Sequence, residues 1–158
     1  MGEGATISLF DKAQNAHYKW RKLPAPARGE FIRNFGNALR ARKEEVAHQV
    51  TLEAKKIISE GEGEVQEIID MCDFATGLSR QLYGLTMPSE RPDHRLQELW
   101  QPLGIVGCVT AFNFPVAVFG WNFCLAAVCG NSIIWKPSPH AEGCADLIKQ
   151  IWDEVAPD

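Results

Sequence analysis

Two short segments of this 158-residue sequence each follow an apolar run, and they carry the residues best placed to do chemistry. Segment 110–115, Thr-Ala-Phe-Asn-Phe-Pro, follows the run 105–109, and segment 135–139, Trp-Lys-Pro-Ser-Pro, closes a second run. Such runs are typical of buried parallel strands, whose carboxyl ends meet at one edge of a sheet and form a crevice for ligands. We therefore expect residues 110–113 to line a crevice with Lys136 beside it, suited to one extended ligand.

The same residues also have ordinary structural interpretations. Asn is a favoured capping residue, so Asn113 is consistent with a cap on a helix that begins near Pro115. Lys136 is consistent with a solvated surface charge, and Phe114 and Trp121 with the core side of a helix. An acidic run is typical of a solvated helix face, and this sequence has one at Glu60, Glu62, Glu64 and Glu67.

Helical periodicity dominates the first half of the sequence. Apolar spacing predicts one helix over 24–42, a second over 44–60 and a third, longer helix that ends before Gly84. Gly61 and Gly63 are predicted to break the chain between the second and third helices. The second helix is expected to bury five aliphatic side chains: Val46, Val50, Leu52, Ile57 and Ile58.

The second half alternates strand and helix, which is typical of a doubly wound parallel sheet. The fold class predicted is therefore α/β: a helical layer at 1–87, followed at 96–158 by the first strands of a Rossmann-like dinucleotide-binding sheet. Two strands leave hydrogen-bonding edges uncovered, so we expect 1–158 to be part of a larger domain, or to pair with something else. The predicted alternation is strand 105–109, helix 113–130, strand 132–135 and helix 141–155.

Composition excludes several classes of function. The net charge of −4, with 16 scattered Lys and Arg residues, provides no basic stripe for nucleic acid. The longest apolar run, 114–128, is interrupted and too short for a membrane span, and no signal peptide is evident. Four dispersed histidines suggest no metal site. Five cysteines without a Cys-x-x-Cys pair favour reduced core thiols and a cytoplasmic location.

Several strings together resemble the aldehyde dehydrogenase superfamily. They are Gly104-Ile105-Val106-Gly107, the segment 110–115, Trp121-Asn122, Gly130-Asn131 and Trp135-Lys136-Pro137-Ser138. The strings at 26–30, 63–67, 77–80 and 88–91 resemble the antiquitin branch, the α-aminoadipic semialdehyde dehydrogenases. The resemblance covers all but roughly the first twenty residues, and only an amino-terminal part of the family's length.

This resemblance implies NAD(P)-dependent oxidation of a small-molecule aldehyde to the acid, by a cysteine thiolate that attacks and a glutamate that activates water. Both of those residues lie downstream in the family pattern, so residues 1–158 alone are expected to be inactive. The alternative function is a non-catalytic module that binds a nucleotide or a partner. The resemblance also implies a homo-oligomer. The resemblance implies that Asn113 stabilises the oxyanion and that Glu67 faces a substrate amino group. It also implies that Phe114 and Trp121 line the aldehyde channel. The residues implied for binding NAD or NADP are Thr110, Ala111, Phe112, Lys136 and Ser138.

Two departures from the family pattern bear on these expectations. Many members have a glycine before the lysine at the position of Lys56, where this sequence has Lys55. Many members also have a glutamate at the position of Pro139, which accepts hydrogen bonds from the adenosine ribose. Its replacement puts a strict preference for NAD in doubt.

Overall fold

Six helices and four strands follow one another along the chain, in a computed structural model that describes residues 3–156 and the side chains of residues 8–156. The helices are α1 Glu3–Trp20, α2 Ala25–Ala41, α3 Lys43–Ala54, α4 Ile58–Leu78, α5 Ala117–Val128 and α6 Glu142–Asp153. The strands are β1 Thr86–Pro88, β2 Arg95–Gln97, β3 Ile105–Val109 and β4 Ser132–Lys136. The α/β class is therefore confirmed, and α1 and β1 are elements that the sequence patterns did not predict.

The parallel pair at the start of the sheet is confirmed in position. Strands β3 and β4 are parallel, with Ile105 opposite Ser132 and Val109 opposite Lys136, and α5 is the crossover between them. A crossover of this kind places both carboxyl ends at one edge. Strands β1 and β2 form a separate antiparallel hairpin.

The predicted break at Gly61 and Gly63 is wrong, because both glycines lie inside α4. The chain breaks earlier, at Lys55, which ends α3 in the left-handed conformation with φ 59°. A Cβ on Gly61 would lie 2.6 Å from the carbonyl oxygen of Ala47, so this glycine allows α3 and α4 to cross closely. Tertiary packing therefore overrides the low helix propensity of glycine here.

The burial predicted for the second helix is correct for two of its five residues. Val46 and Val50 are fully buried. Leu52 and Ile57 are 63% and 66% exposed, and Ile58 is also exposed. Leu52 lies within α3, on a different face from Val46 and Val50. The early end of α3 changes the direction of the chain at Lys55, so Ile57 and Ile58 also leave the buried face.

The core lies where the helical layer meets α5. Phe35 of α2 packs edge to face on Phe123 of α5, with ring centroids 5.5 Å apart. A Cβ on Gly120 of α5 would lie 2.6 Å from Ile68 of α4, so this glycine lets the two backbones approach. The sheet layer is thereby fixed on the helices by close-packed apolar contacts.

All five cysteines are free thiols, and all but Cys129 are buried. The predicted core position is therefore confirmed for four of the five. Within residues 3–156, no helix combines the length and apolar character that crossing a bilayer requires.

Candidate functional site

The carboxyl edge of the β3–β4 pair is held together by two hydrogen bonds and one stacking contact. The backbone N–H of Thr110 donates to the carbonyl of Lys136 at 3.2 Å, and the indole N–H of Trp135 donates to the Thr110 hydroxyl at 2.9 Å. The Trp135 ring stacks on Phe119 with centroids 3.8 Å apart. Thr110 is therefore buried and fixed, and the residues after it begin from a rigid point.

Beyond this anchor, Ala111, Phe112 and Asn113 are exposed on the edge of the sheet. The Phe112 ring meets His140 edge to face, with centroids 6.2 Å apart. Lys136 is exposed at the end of β4, beside them. Exposed backbone, an aromatic ring and a lysine therefore lie at one sheet edge, and their role as a crevice for a ligand stays a prediction.

Ser138 differs from its neighbours because it is buried. Its hydroxyl accepts a hydrogen bond from the backbone N–H of His140 at 3.2 Å, and its carbonyl accepts one from Ala141. Ser138 therefore shapes the turn that leads into α6.

A cavity of about 390 Å³ brings together residues that are far apart in sequence. Three of the predicted site residues, Asn113, Phe114 and Glu67, line it. The remaining lining residues were not assigned to a site from the sequence, and they are Lys56, Glu60, Gly63 and Glu64. Glu67, half-buried in this wall, is therefore placed near Asn113 rather than on a remote solvated face.

The capping interpretation of Asn113 is wrong. Helix α5 begins at Ala117 rather than near Pro115, its N-cap position is Val116, and Val116 provides no side-chain cap. Asn113 lies in the bend before the helix, exposed. Among the residues that the structure describes, its side-chain amide has no hydrogen-bond partner, so it is free to donate to a ligand in the cavity.

Trp121 does not share this cavity. It lies on α5 and is 39% exposed, and the lining described above does not include it. Its assignment to an aldehyde channel stays a prediction.

Glu64 is a functional candidate that the sequence pattern concealed. It was grouped with the solvated acidic run, but it is 2% exposed. Its carboxylate forms an ion pair with Lys56 Nζ at 2.5 Å and accepts from the backbone N–H groups of Val116 and Ala117, each at 3.4 Å. Its burial could have been inferred from its position in the sequence, because Glu64 shares the apolar face of α4 with Val65 and Ile68.

Side chains from other helices form hydrogen bonds with the backbone groups at both ends of α5. Glu64 lies at the amino end. At the carboxyl end, Trp20 donates to the carbonyl of Ala127 at 2.7 Å, and Arg28 donates to that of Val128 at 2.9 Å. Burial lowers the pKa of the Arg28 guanidinium, which nevertheless stays charged at neutral pH. A negative charge at the amino end and a positive charge at the carboxyl end both stabilise the helix dipole.

Helix α6 is completed in the same way by Glu53 of α3. The Glu53 carboxylate accepts from the backbone N–H groups of Gly143 and Cys144, both at 2.7 Å. Burial alone would raise the pKa of Glu53, but hydrogen bonds from Cys144, Gly143 and Gln49 outweigh it and hold that pKa below its usual value. Burial, reinforced by the adjacent Glu53, raises the pKa of the Cys144 thiol far above its usual value.

A larger cavity, about 940 Å³, lies between α1 and the layer formed by α5, β4 and α6. Its lining is mostly apolar and includes Trp20, Phe123 and Trp152. None of the predicted site residues lines it. We therefore place the candidate site in the smaller cavity and the adjoining sheet edge, where the polar groups converge.

Comparison with known proteins identifies the family. The family model described as "Aldehyde dehydrogenase family" matches residues 3–158, so the expectation that the first twenty residues lie outside the resemblance is wrong. A Malus domestica protein, aldehyde dehydrogenase family 7 member A1, is 61% identical over 120 residues, which are 76% of this chain and 24% of that protein. The alpha-aminoadipic semialdehyde dehydrogenase of Rattus norvegicus is 50% identical over 147 residues, 93% of this chain and 27% of that protein.

Solved structures agree with the sequence comparison. An Escherichia coli NADP dependent enzyme superimposes with a TM-score of 0.94 at 27% identity, over 99% of this chain and 32% of its own. Lactaldehyde dehydrogenase from E. coli superimposes with a TM-score of 0.89 at 28% identity, over 93% and 31% of the two chains. This chain spans about a quarter of the length of the curated relatives that it matches. Over that span, the chain belongs to the aldehyde dehydrogenase family.

Proposed function

We propose that this chain supplies the oxyanion donor and part of the cofactor site of an enzyme that oxidises an aldehyde to a carboxylic acid with NAD or NADP. The observation that carries the proposal is the Asn113 amide, exposed, unpartnered within the described residues, and lining a cavity with Phe114 and Glu67. A fixed donor of this kind stabilises negative charge as it develops on a carbonyl oxygen. Membership of the aldehyde dehydrogenase family supports this assignment.

The sheet edge fits a dinucleotide. Lys136 offers an exposed ammonium group for a ribose hydroxyl or a phosphate, and Ala111 and Phe112 offer exposed peptide groups. Neither strand-end segment, 110–115 or 135–139, contains a carboxylate that would repel phosphates. A bound nicotinamide cofactor would accept hydride from the substrate carbon. The related E. coli enzyme described as NADP dependent supports the same choice of cofactor class.

Glu67 suggests the substrate class. Its carboxylate lines the cavity that contains Asn113, and Glu60 lines it as well. These carboxylates favour an aldehyde that bears an ammonium group, because a charge-assisted hydrogen bond contributes about 1.5–3 kcal/mol. An amino-bearing semialdehyde such as α-aminoadipic semialdehyde fits, and the name of the rat relative supports it. That substrate would place the reaction in lysine catabolism.

Two further properties belong to the same proposal. Free, mostly buried thiols favour a reducing compartment, and thus a cytoplasmic location. The exposed apolar residues around the β1–β2 hairpin, among them Leu85, Met87, Leu96 and Trp100, form a surface for the rest of the enzyme or a second copy to cover; the homo-oligomer is proposed from membership of the family.

The test uses a hybrid enzyme, defined as the rat relative with its matching segment replaced by this chain. In that hybrid, Asn113→Ala should lower the single-turnover rate of aldehyde oxidation by roughly 10²–10³-fold, with little change in the Kd for NAD. The matched control is Asn37→Ala, because Asn37 is exposed on α2, away from the cavity. An inactive hybrid, or an Asn113→Ala variant as fast as the control, would overturn the proposal.

A further inference from the structure

Within the part of the chain that the structure describes, Glu64 is the most deeply buried carboxylate, and the catalytic proposal leaves it unused. A buried carboxylate is costly unless it is paired and hydrogen-bonded. Glu64 has three such partners: the Lys56 ammonium at 2.5 Å and the N–H groups of Val116 and Ala117 at 3.4 Å. The Glu64 carboxylate is therefore held by Lys56 and by the start of α5 instead of being hydrated by solvent.

That turn carries Asn113 between two fixed points. At one end, the N–H of Thr110 is bonded to the carbonyl of Lys136 across the β3–β4 pair. At the other end, the N–H groups of Val116 and Ala117 are bonded to Glu64. The residue at the N-cap provides no side-chain cap of its own. Glu64 thus closes the second end of the segment that presents the Asn113 amide.

Lys56, the partner of Glu64, also contacts Phe114, which is the residue next to Asn113. Its Nζ lies 3.6 Å from the centroid of the Phe114 ring while it is paired with Glu64. An ammonium over a ring face is attracted by the ring quadrupole, so one cation contacts both the buried carboxylate and the ring. Phe114 is covalently adjacent to Asn113, and the position of its ring restricts the bend in which the amide lies.

We infer that Glu64 is a positioning residue, which acts with Lys56 to hold the 113–117 turn so that the Asn113 amide points into the cavity. The inference rests on the function proposed above for Asn113. It goes beyond that function by assigning a role to a carboxylate whose described partners are the Lys56 ammonium and two backbone N–H groups of the turn. Misplacement of a donor by a fraction of an ångström to one ångström slows a reaction severely, which is the reason such a device has a measurable effect.

The kinetic test is a double-mutant cycle in the hybrid enzyme. Glu64→Gln keeps shape and one acceptor oxygen but removes the charge that Lys56 and the α5 amino terminus face. It should lower the single-turnover rate roughly tenfold while the Kd for NAD stays within about twofold. In the Asn113→Ala background, the same substitution should have little further effect, because the amide that it positions is gone. Glu62→Gln, exposed two residues earlier on α4, is the matched control and should leave the rate unchanged.

A second measurement separates this inference from the proposed function. In the 158-residue chain itself, amide hydrogen exchange at Val116 and Ala117 should speed up roughly tenfold or more in Glu64→Gln, relative to Glu62→Gln. If the glutamine variant does not fold, Lys56→Met replaces it, with the same expected direction. An inactive hybrid with the expected exchange would refute the proposed function but leave the positioning device supported. Unchanged exchange, or equal effects of Glu64→Gln with and without Asn113, would overturn the inference.

Discussion

Glu53 caps the amino end of α6, and we expect this cap to contribute to the free energy of unfolding in a pH-dependent way. Two backbone N–H groups donate to this carboxylate at 2.7 Å, from Gly143 and Cys144. A side-chain cap contributes about 0.5–2 kcal/mol, and an ionised acceptor strengthens each bond. Glu53 joins α3 to α6, so its contacts are lost when the two layers separate. We expect Glu53→Gln to lower the free energy of unfolding at pH 7 by about 1–2 kcal/mol.

The sign of the pH dependence follows from the lowered pKa of Glu53. A carboxyl whose pKa is lower in the folded state binds fewer protons there than in the unfolded chain. Its contribution is complete above the unfolded value, about 4.3, and is lost as the pH falls through the folded value. The wild-type and Glu53→Gln proteins should therefore differ most near neutral pH and converge in acid.

Urea unfolding followed by circular dichroism, at a series of pH values, measures this difference. Glu90→Gln is the matched control, since Glu90 is exposed in the loop between β1 and β2. It should leave the midpoint unchanged at every pH. A Glu53→Gln variant as stable as this control at pH 7, or a difference that grows in acid, would refute the reasoning.

The remaining predictions concern three backbone positions and one cofactor contact. Gly120→Ala should lower the free energy of unfolding in urea by about 1–3 kcal/mol, because the added Cβ would lie 2.6 Å from Ile68. Gly77→Ala on α4, whose Cβ would meet open space, should raise that free energy by about 0.5–1 kcal/mol. Equal effects of the two substitutions would contradict the packing argument. Lys55→Gly should stabilise by about 0.5–1 kcal/mol, since Lys55 is left-handed, and a loss of stability would contradict this. Pro139→Glu in the hybrid enzyme should raise the NAD/NADP ratio of kcat/KM, because a carboxylate there repels a 2′-phosphate; an unchanged ratio would count against the idea.

The strands and the sheet edge could be predicted from sequence because their signal is local. Apolar runs bounded by Gly and Pro gave β3 correctly and β4 to within one residue, and one helix between them placed 110–113 beside Lys136. The meeting of Glu67 with Asn113 required the family resemblance, because the two residues lie on different layers. Their common cavity depends on how α4 crosses the start of α5, which no local pattern specifies.

Helix boundaries failed where packing opposed propensity. Gly61 was predicted to end a helix, but it lies inside α4, where the absence of a side chain lets α4 pack closely against the backbone of α3. Lys55 was predicted to continue a helix, but it ends one, although the family pattern with glycine nearby pointed to a left-handed residue. At Gly61 the deciding contact lies between α3 and α4, and it is absent from any single helical pattern.

The two capping carboxylates show that part of this information was nevertheless present in the sequence. Glu53 and Glu64 look like ordinary solvated acids when they are judged by their neighbours. The N-cap residues of the helices that they complete, however, are Ala141 and Val116, whose side chains cannot accept a hydrogen bond. Every helix start leaves N–H groups that need acceptors, so an apolar residue at a buried start implies an acceptor from another element. In this chain that acceptor is a carboxylate of the preceding helical layer in both cases. The amino ends of α5 and α6, and with them the Asn113 turn, are therefore held in part by carboxylates that lie fifty or more residues upstream.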